Sequence, residues 1–89
     1  MEDKIEDFLS TTGSWKIFIE EYPDKAEHAI LLSINVVTVQ PEEREVYFDL
    51  SMIYTLKSNG QKQVYKSGLA LLNEKGEIKK VVSIQEMEN

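Results

Sequence analysis

The N-terminal residues show the apolar spacing of a helix. Ile5, Phe8 and Leu9 are three and four positions apart, which places them on one face of an α-helix. Acidic residues come first in this segment, as the helix dipole favours, and Gly13 suits the position just past a helix end. Because a helix of about ten residues is not stable alone in water, we expect it to pack on the rest of the chain.

After Gly13 the pattern changes to alternating apolar and polar residues, which predicts five β-strands. Four segments of turn-forming residues separate the strands: "YPDK" (22–25), "QPEER" (40–44), "SNGQ" (58–61) and "NEKGE" (73–77). Asn59-Gly60 indicates a two-residue type I′ turn, because both residues readily adopt the positive φ that this turn needs. The sequence therefore predicts a meander of consecutive hairpins.

The lengths of the first three turns predict which residues face each other. Loops at 23–26 and 40–44 and the turn at 59–60 all place large apolar residues of neighbouring strands on one face of the sheet. A shift of one residue in any hairpin would turn these side chains to the other face. The predicted pairs are Trp15–Ile34, Ile17–Leu32, Ile19–Ile30, Ile30–Tyr54, Leu32–Met52, Ile34–Leu50, Val36–Phe48, Phe48–Leu71, Leu50–Leu69, Met52–Ser67 and Tyr54–Tyr65.

The register of the last hairpin stays open. If residues 74–76 form a type I turn with a glycine bulge, Leu69 faces Val81. The other face then carries Ile78, Val82 and Ile84.

Together these elements predict an α+β fold in a single domain of residues 1–89. A short N-terminal helix packs on a five-stranded, strongly curved antiparallel β-meander. The apolar face, from Trp15 to Leu71, is wider than one short helix can cover. Either the sheet curls round its concave side and encloses a pocket, or a second copy covers it.

Residues 13–15, Gly-Ser-Trp, resemble the Gly-x-Trp that opens the first strand of lipocalins, fatty-acid-binding proteins and avidins. The resemblance is confined to these three residues, and it implies a barrel strand that starts near Trp15. The alternative interpretation is that Gly13 ends the helix and Trp15 anchors the core. The order of a helix followed by a long meander is also similar to that of cystatin-like and nuclear-transport-factor-like folds.

Composition and charge narrow the function classes. The 89-residue chain has no cysteine, which excludes a disulfide framework, a thiolate metal site and a cysteine nucleophile, and favours the cytoplasm. The start of the chain is not typical of a signal peptide, and the apolar runs are too short to cross a membrane. The net charge is −6, with −8 on residues 1–49 and +2 on residues 50–89, so nucleic-acid binding is not expected and a basic protein partner is a possible fit.

Polar residues converge at one end of the predicted inner face. We predict a small-molecule site there, formed by His28, Tyr54, Gln63, Tyr65 and Ser67. Glu21 faces His28 in the predicted register and could orient it as a base. The alternative is that these residues are polar because the end of a sheet meets water. Since His28 is the one histidine, we expect no metal, no cofactor and no assigned catalytic residue.

The opposite face carries a second apolar set that is typical of a protein contact. Its predicted interface residues are Phe18, Leu31, Tyr47, Ile53 and Leu72, with Val37 and Ile78 nearby. The sequence thus favours a small, cytoplasmic, non-catalytic interaction module that forms a homodimer. The alternatives are a curved-sheet pocket for a small apolar ligand and an enzyme that uses His28 with Glu21.

Overall fold

The fold is α+β, with one N-terminal helix packed on an open four-stranded antiparallel meander. The structure is a computed structural model that describes residues 1–19, 26–56 and 60–84, and for residues 26–28 the backbone only. The strand order is β1-β2-β3-β4, and among these residues the five strands and strong curvature expected from the sequence are not found. The elements are α1 (Glu2–Thr12), a 3₁₀ helix (Ser14–Phe18), β1 (Ala26–Gln40), a 3₁₀ turn (Pro41–Glu43), β2 (Glu45–Leu56), β3 (Gln61–Leu72) and β4 (Ile78–Ser83).

The helix prediction is confirmed, and the first predicted strand is wrong. Gly13 ends α1 in the left-handed conformation with φ 76°, and the next five residues form a 3₁₀ helix rather than a strand. A 3₁₀ helix repeats every three residues, so Trp15 and Phe18 share one side and pack with the core, while Ile17 is exposed. The likeness of residues 13–15 to the first strand of a barrel therefore does not extend to their conformation.

The core lies between the sheet and the helical N-terminal segment. α1 contacts both edge strands, β1 and β4, and the 3₁₀ helix contacts β4. Phe18 is fully buried and packs edge-to-face on Phe48 of β2, with ring centroids 6.2 Å apart. The buried apolar residues are Ile5, Leu9, Phe18, Ile19, Val46, Phe48, Leu50, Met52, Tyr54, Ala70 and Val81.

The predicted β1–β2 register is right at its centre and wrong on either side. Ile34 pairs with Leu50 and Val36 with Phe48, as expected. Register shifts between Leu31 and Ser33, and between Val36 and Thr38, each add one residue to β1. Beyond the first shift the predicted Ile30–Tyr54 and Leu32–Met52 pairs are replaced. The observed pairs there are Ile30–Ile53, Ala29–Tyr54 and Leu31–Met52.

The predicted β2–β3 register is wrong by three positions. Phe48 pairs with Gly68 and Leu50 with Lys66, so Tyr65, Ser67, Leu69 and Leu71 lie on the face opposite the one predicted. The Leu56 N–H donates to the Gly60 carbonyl at 2.8 Å, which leaves three residues in the connection instead of two. Asn59 lies outside the described residues, and Gly60 does not have the positive φ of a type I′ turn.

The last hairpin follows the predicted turn with a shifted register. Gly76 is left-handed with φ 83°, and its N–H donates to the Asn73 carbonyl at 3.0 Å. Val81 is on the core face as expected, but it pairs with Ala70 rather than Leu69, because β3 is turned over. Ile78 pairs with Leu72 and packs against the core, so its predicted place on the other face is wrong.

Candidate interaction surface

The predicted small-molecule residues are divided between the two faces of the sheet. Tyr54 is on the core face and 2% exposed. Gln63, Tyr65 and Ser67 alternate along β3 on the opposite face, which we call the outer face. The side chain of His28 and the whole of Glu21 lie outside the described residues. No described cavity therefore joins Tyr54 to Tyr65.

The outer face has a shallow polar groove of about 400 Å³ at its centre. Its side chains pair with one another across the strands: Ser33 and Ser51 share a hydrogen bond of 2.9 Å, and Ser67 donates to Asp49 at 2.8 Å. Beside the groove, Gln63 Nε2 donates to the Tyr65 hydroxyl at 2.8 Å. In these contacts the polar side chains of the groove bond to one another. They therefore stabilise the sheet and leave few donors and acceptors for a ligand.

The predicted interface residues do not form one surface. Phe18 is in the core, and Leu31 and Leu72 pack against it, so their expected outer-face positions are wrong. Tyr47 and Ile53 do lie on the outer face, both half-buried. The Tyr47 hydroxyl donates to Glu45 Oε1 at 3.2 Å, and the negative charge of Glu45 raises the pKa of Tyr47. What remains of the predicted patch is Ile53 and, apart from it, Tyr47 with Val37, which line one small cavity of about 300 Å³.

The most accessible apolar surface lies along β1, which is an edge strand. In the part of the chain that the structure describes, β1 pairs with β2 alone, and its other side is open to pairing. The sequence has no charged residue from position 29 to position 40. The large apolar residues exposed on β1 are Ile30 (59%), Leu32 (47%), Val37 (59%) and Val39 (52%). We refer to the open side of residues 29–39 as the β1 edge.

A contact from α1 shows which way the backbone of the β1 edge points. The Val36 N–H donates to Glu2 Oε2 at 3.2 Å, so it points away from β2. This hydrogen bond lowers the pKa of the Glu2 carboxyl. Because backbone groups alternate in direction along a strand, the polar groups of Ile34 also point to the open side. The β1 edge thus offers an ordered row of backbone donors and acceptors.

Natural edge strands carry charges, prolines or bulges that prevent unwanted pairing. Residues 29–39 of β1 contain no charged residue and no proline. They do contain two bulges, at Leu32 and Val37. Between the bulges the regular segment is residues 33–36. A pairing partner for β1 is therefore restricted to a short central segment instead of the whole strand.

Sequence reasoning missed this edge, although part of its signal was visible. An uncharged stretch of this length stands out in a chain with 29% charged residues. The predicted strand at 15–19 would have paired with residues 30–34 and covered the edge. Once those residues form a 3₁₀ helix, that cover is lost.

No helix among the described residues is long and apolar enough to cross a membrane. Within those residues, no group of three His, Cys, Asp or Glu side chains is placed to hold a metal ion. No protein-family model matches the chain, and the comparisons with curated proteins and with solved structures gave no match.

Proposed function

We propose that this protein is a small, non-catalytic interaction module that acts as a homodimer. The observation that carries the proposal is the β1 edge, a long uncharged edge strand with four large apolar side chains at least 47% exposed. Exposed apolar residues that are contiguous with unpaired strand backbone mark protein contacts in small domains. A cysteine-free chain fits a reducing compartment, and we place its action in the cytoplasm.

The filled core also supports this function over a ligand pocket. α1 and the 3₁₀ helix pack on the inner face of the sheet, where Phe48, Leu50 and Tyr54 are almost wholly buried. A pocket that used Tyr54 would have to displace these contacts. Glu21 and the side chain of His28 lie outside the described residues, so an enzyme that uses them stays a prediction from the sequence.

Small domains have a further physical reason to associate. A domain of this size buries only about 60% of the surface of its unfolded chain, so its free energy of unfolding is small. Each apolar side chain that stays exposed is therefore a missed contribution that matters. Pairing two copies removes such side chains from water and adds to the stability of both.

Light scattering and analytical ultracentrifugation of the purified chain at micromolar concentration test the proposal. We expect a species of twice the 10.3 kDa chain mass that dissociates on dilution. A 10.3 kDa species throughout the concentration series would overturn the homodimer. Its mass should be read at moderate salt, since the net charge of −6 makes like-charged copies repel at low ionic strength.

A further inference from the structure

We propose that two copies join through their β1 edges, in antiparallel pairing, to form one continuous sheet. This inference rests on the proposed homodimer and assigns its contact surface and its register. Two four-stranded sheets would become a single sheet of eight strands, with β1 and its partner copy at the centre. Backbone hydrogen bonds across the edge would supply the directional part of the contact, as in strand addition to other open sheets.

Charge selects this surface for self-association. A two-fold axis brings each residue near its own counterpart, so a charged residue close to the axis meets the same charge. The chain carries 16 acidic residues, and the outer face has Asp49 at its centre. Residues 29–40 carry no charge, so the two β1 strands bring no like charges of their own together; the Glu2 carboxylate, which accepts the Val36 N–H next to the proposed axis, is a charged group that has to move away.

The direction of the backbone groups selects the register. Ile34 and Val36 both point their polar groups to the open side, and both lie in the regular segment between the bulges. An axis at Asn35 pairs Ile34 of one copy with Val36 of the other, and the reverse. Each of these two pairs exchanges two backbone hydrogen bonds. An axis at Ile34 would form one such pair within the same segment, so the Asn35 register is favoured.

The same register brings exposed apolar residues together. By the same count Val37 of one copy faces Ser33 of the other and Leu32 faces Thr38, so Leu32 and Val37 lie one position apart along the paired strands on each side of the axis. Both are largely exposed in the single chain. Asn35 meets its own counterpart on the outer face, where two uncharged amides can donate to and accept from each other.

Glu2 already binds one of the backbone groups that this pairing needs, the Val36 N–H. Its carboxylate accepts the Val36 N–H, and its side chain is 51% exposed. A surface side chain of this kind can rotate into water and release the N–H to the partner strand. The exchange replaces one side-chain contact with a backbone contact in each copy.

Single cysteines test the register, because the natural chain contains none. In the proposed pairing the two Asn35 positions form a pair without direct backbone hydrogen bonds, with Cβ atoms about 4.5–5.5 Å apart, close to disulfide reach. Ser67 lies in the same outer-face row, paired with Asp49 as Asn35 is. Its two copies would be five strand spacings apart, about 24 Å. Asn35→Cys is therefore the test variant and Ser67→Cys the matched control.

Both variants are oxidised mildly at a concentration where the parent chain is dimeric, and the rate of cross-linking is measured on non-reducing gels. We expect rapid, nearly complete cross-linking of Asn35→Cys and at least tenfold slower cross-linking of Ser67→Cys. Equal rates, or a dimeric Asn35→Cys that stays uncross-linked, would overturn the β1 pairing and leave the homodimer intact. A parent chain that is monomeric in the mass measurement would overturn both.

Discussion

Phe18 and Phe48 meet edge-to-face, with their ring planes at 68°, because the third residue at their contact is a glycine. Gly68 pairs with Phe48 across β2 and β3, and its missing side chain leaves room for both rings. A Cβ at position 68 would lie 2.6 Å from Phe48 Cζ and 2.9 Å from Phe18 Cζ. Real Cβ atoms essentially never come within 3.0 Å of another residue's atoms in this way, so the rings would have to move.

Gly68→Ala should therefore destabilise the fold. We expect a loss of about 1–3 kcal/mol, the usual cost of overpacking a tight core. Gly60→Ala is the matched control, because a Cβ there meets Leu56 Cδ1 at an ordinary 3.7 Å and its φ is not positive. Urea unfolding followed by circular dichroism measures both variants. Equal midpoints for the two would contradict the packing of Phe18 and Phe48 over Gly68.

Leu50→Ala should also be costly, since Leu50 is only 3% exposed at the centre of the sheet. Removing a buried leucine side chain costs about 2–5 kcal/mol through lost burial and the cavity left behind. Leu32→Ala removes the same atoms from a bulge where the side chain is largely exposed, and we expect a change of less than about 1 kcal/mol. Chemical denaturation of the two variants compares their free energies of unfolding directly. A larger loss for Leu32→Ala would show that Leu50 is not the buried residue of the two.

The Glu2–Val36 contact predicts a dependence of stability on acid pH. The pKa of Glu2 is lowered in the folded chain, chiefly by the hydrogen bond from the Val36 N–H. The contribution of the contact is thus fully present above the ordinary value of 4.5 and is lost as the pH falls through the lowered folded pKa. At a dilution where the chain is monomeric and the contact is intact, we expect Glu2→Gln to melt below the parent chain at neutral pH, and the difference to shrink as the pH is reduced to about 3. A difference that stays constant with pH would show that the carboxylate charge has no role.

Charges on the β1 edge should abolish association without unfolding the chain. In the double variant Leu32→Lys, Val37→Lys, both changes are at exposed bulge residues. Edge lysines are how natural sheets prevent pairing, and across a two-fold axis they would also repel each other. Tyr65→Lys is the control, because Tyr65 is 74% exposed on the outer face of β3, away from the edge. We expect light scattering to show a monomeric double variant and a dimeric Tyr65→Lys. Because dimerisation adds stability, melting temperatures are compared at a dilution where the parent chain is monomeric, and there we expect them to be similar. The opposite result would place the interface on the outer face.

The spacing of apolar residues in this sequence predicts the structure correctly where it continues through one regular helix or strand. The spacing of Ile5, Phe8 and Leu9 predicts α1, and the alternation around Ile34 and Leu50 predicts the central β1–β2 register. Alternation failed at residues 15–19, because a stretch of five residues with apolar positions at both two- and three-residue spacing fits a strand or a 3₁₀ helix equally well.

The remaining errors come from single residues that change a register. A β-bulge adds one residue without a distinctive sequence signal, so the exposure of Ile30 and Leu32 could not be read from the alternation. Asn59-Gly60 correctly indicated a hairpin, but turn residues do not fix the length of a loop. The connection spans residues 57–59 instead of 59–60, which shifts the register by three positions and turns β3 over, and with it the predicted site residues Tyr65 and Ser67.

The contact of Phe18 and Phe48 over Gly68 joins the N-terminal segment of the chain to the middle of the sheet. Phe18 reaches this position only when the 3₁₀ helix is docked, and Gly68 is in place only when β3 has paired with β2. We therefore expect segments fifty residues apart in sequence to order together, in one cooperative transition. Trp15, the sole tryptophan, packs against the same core. Its fluorescence should follow the formation of the sheet, although it is part of no strand.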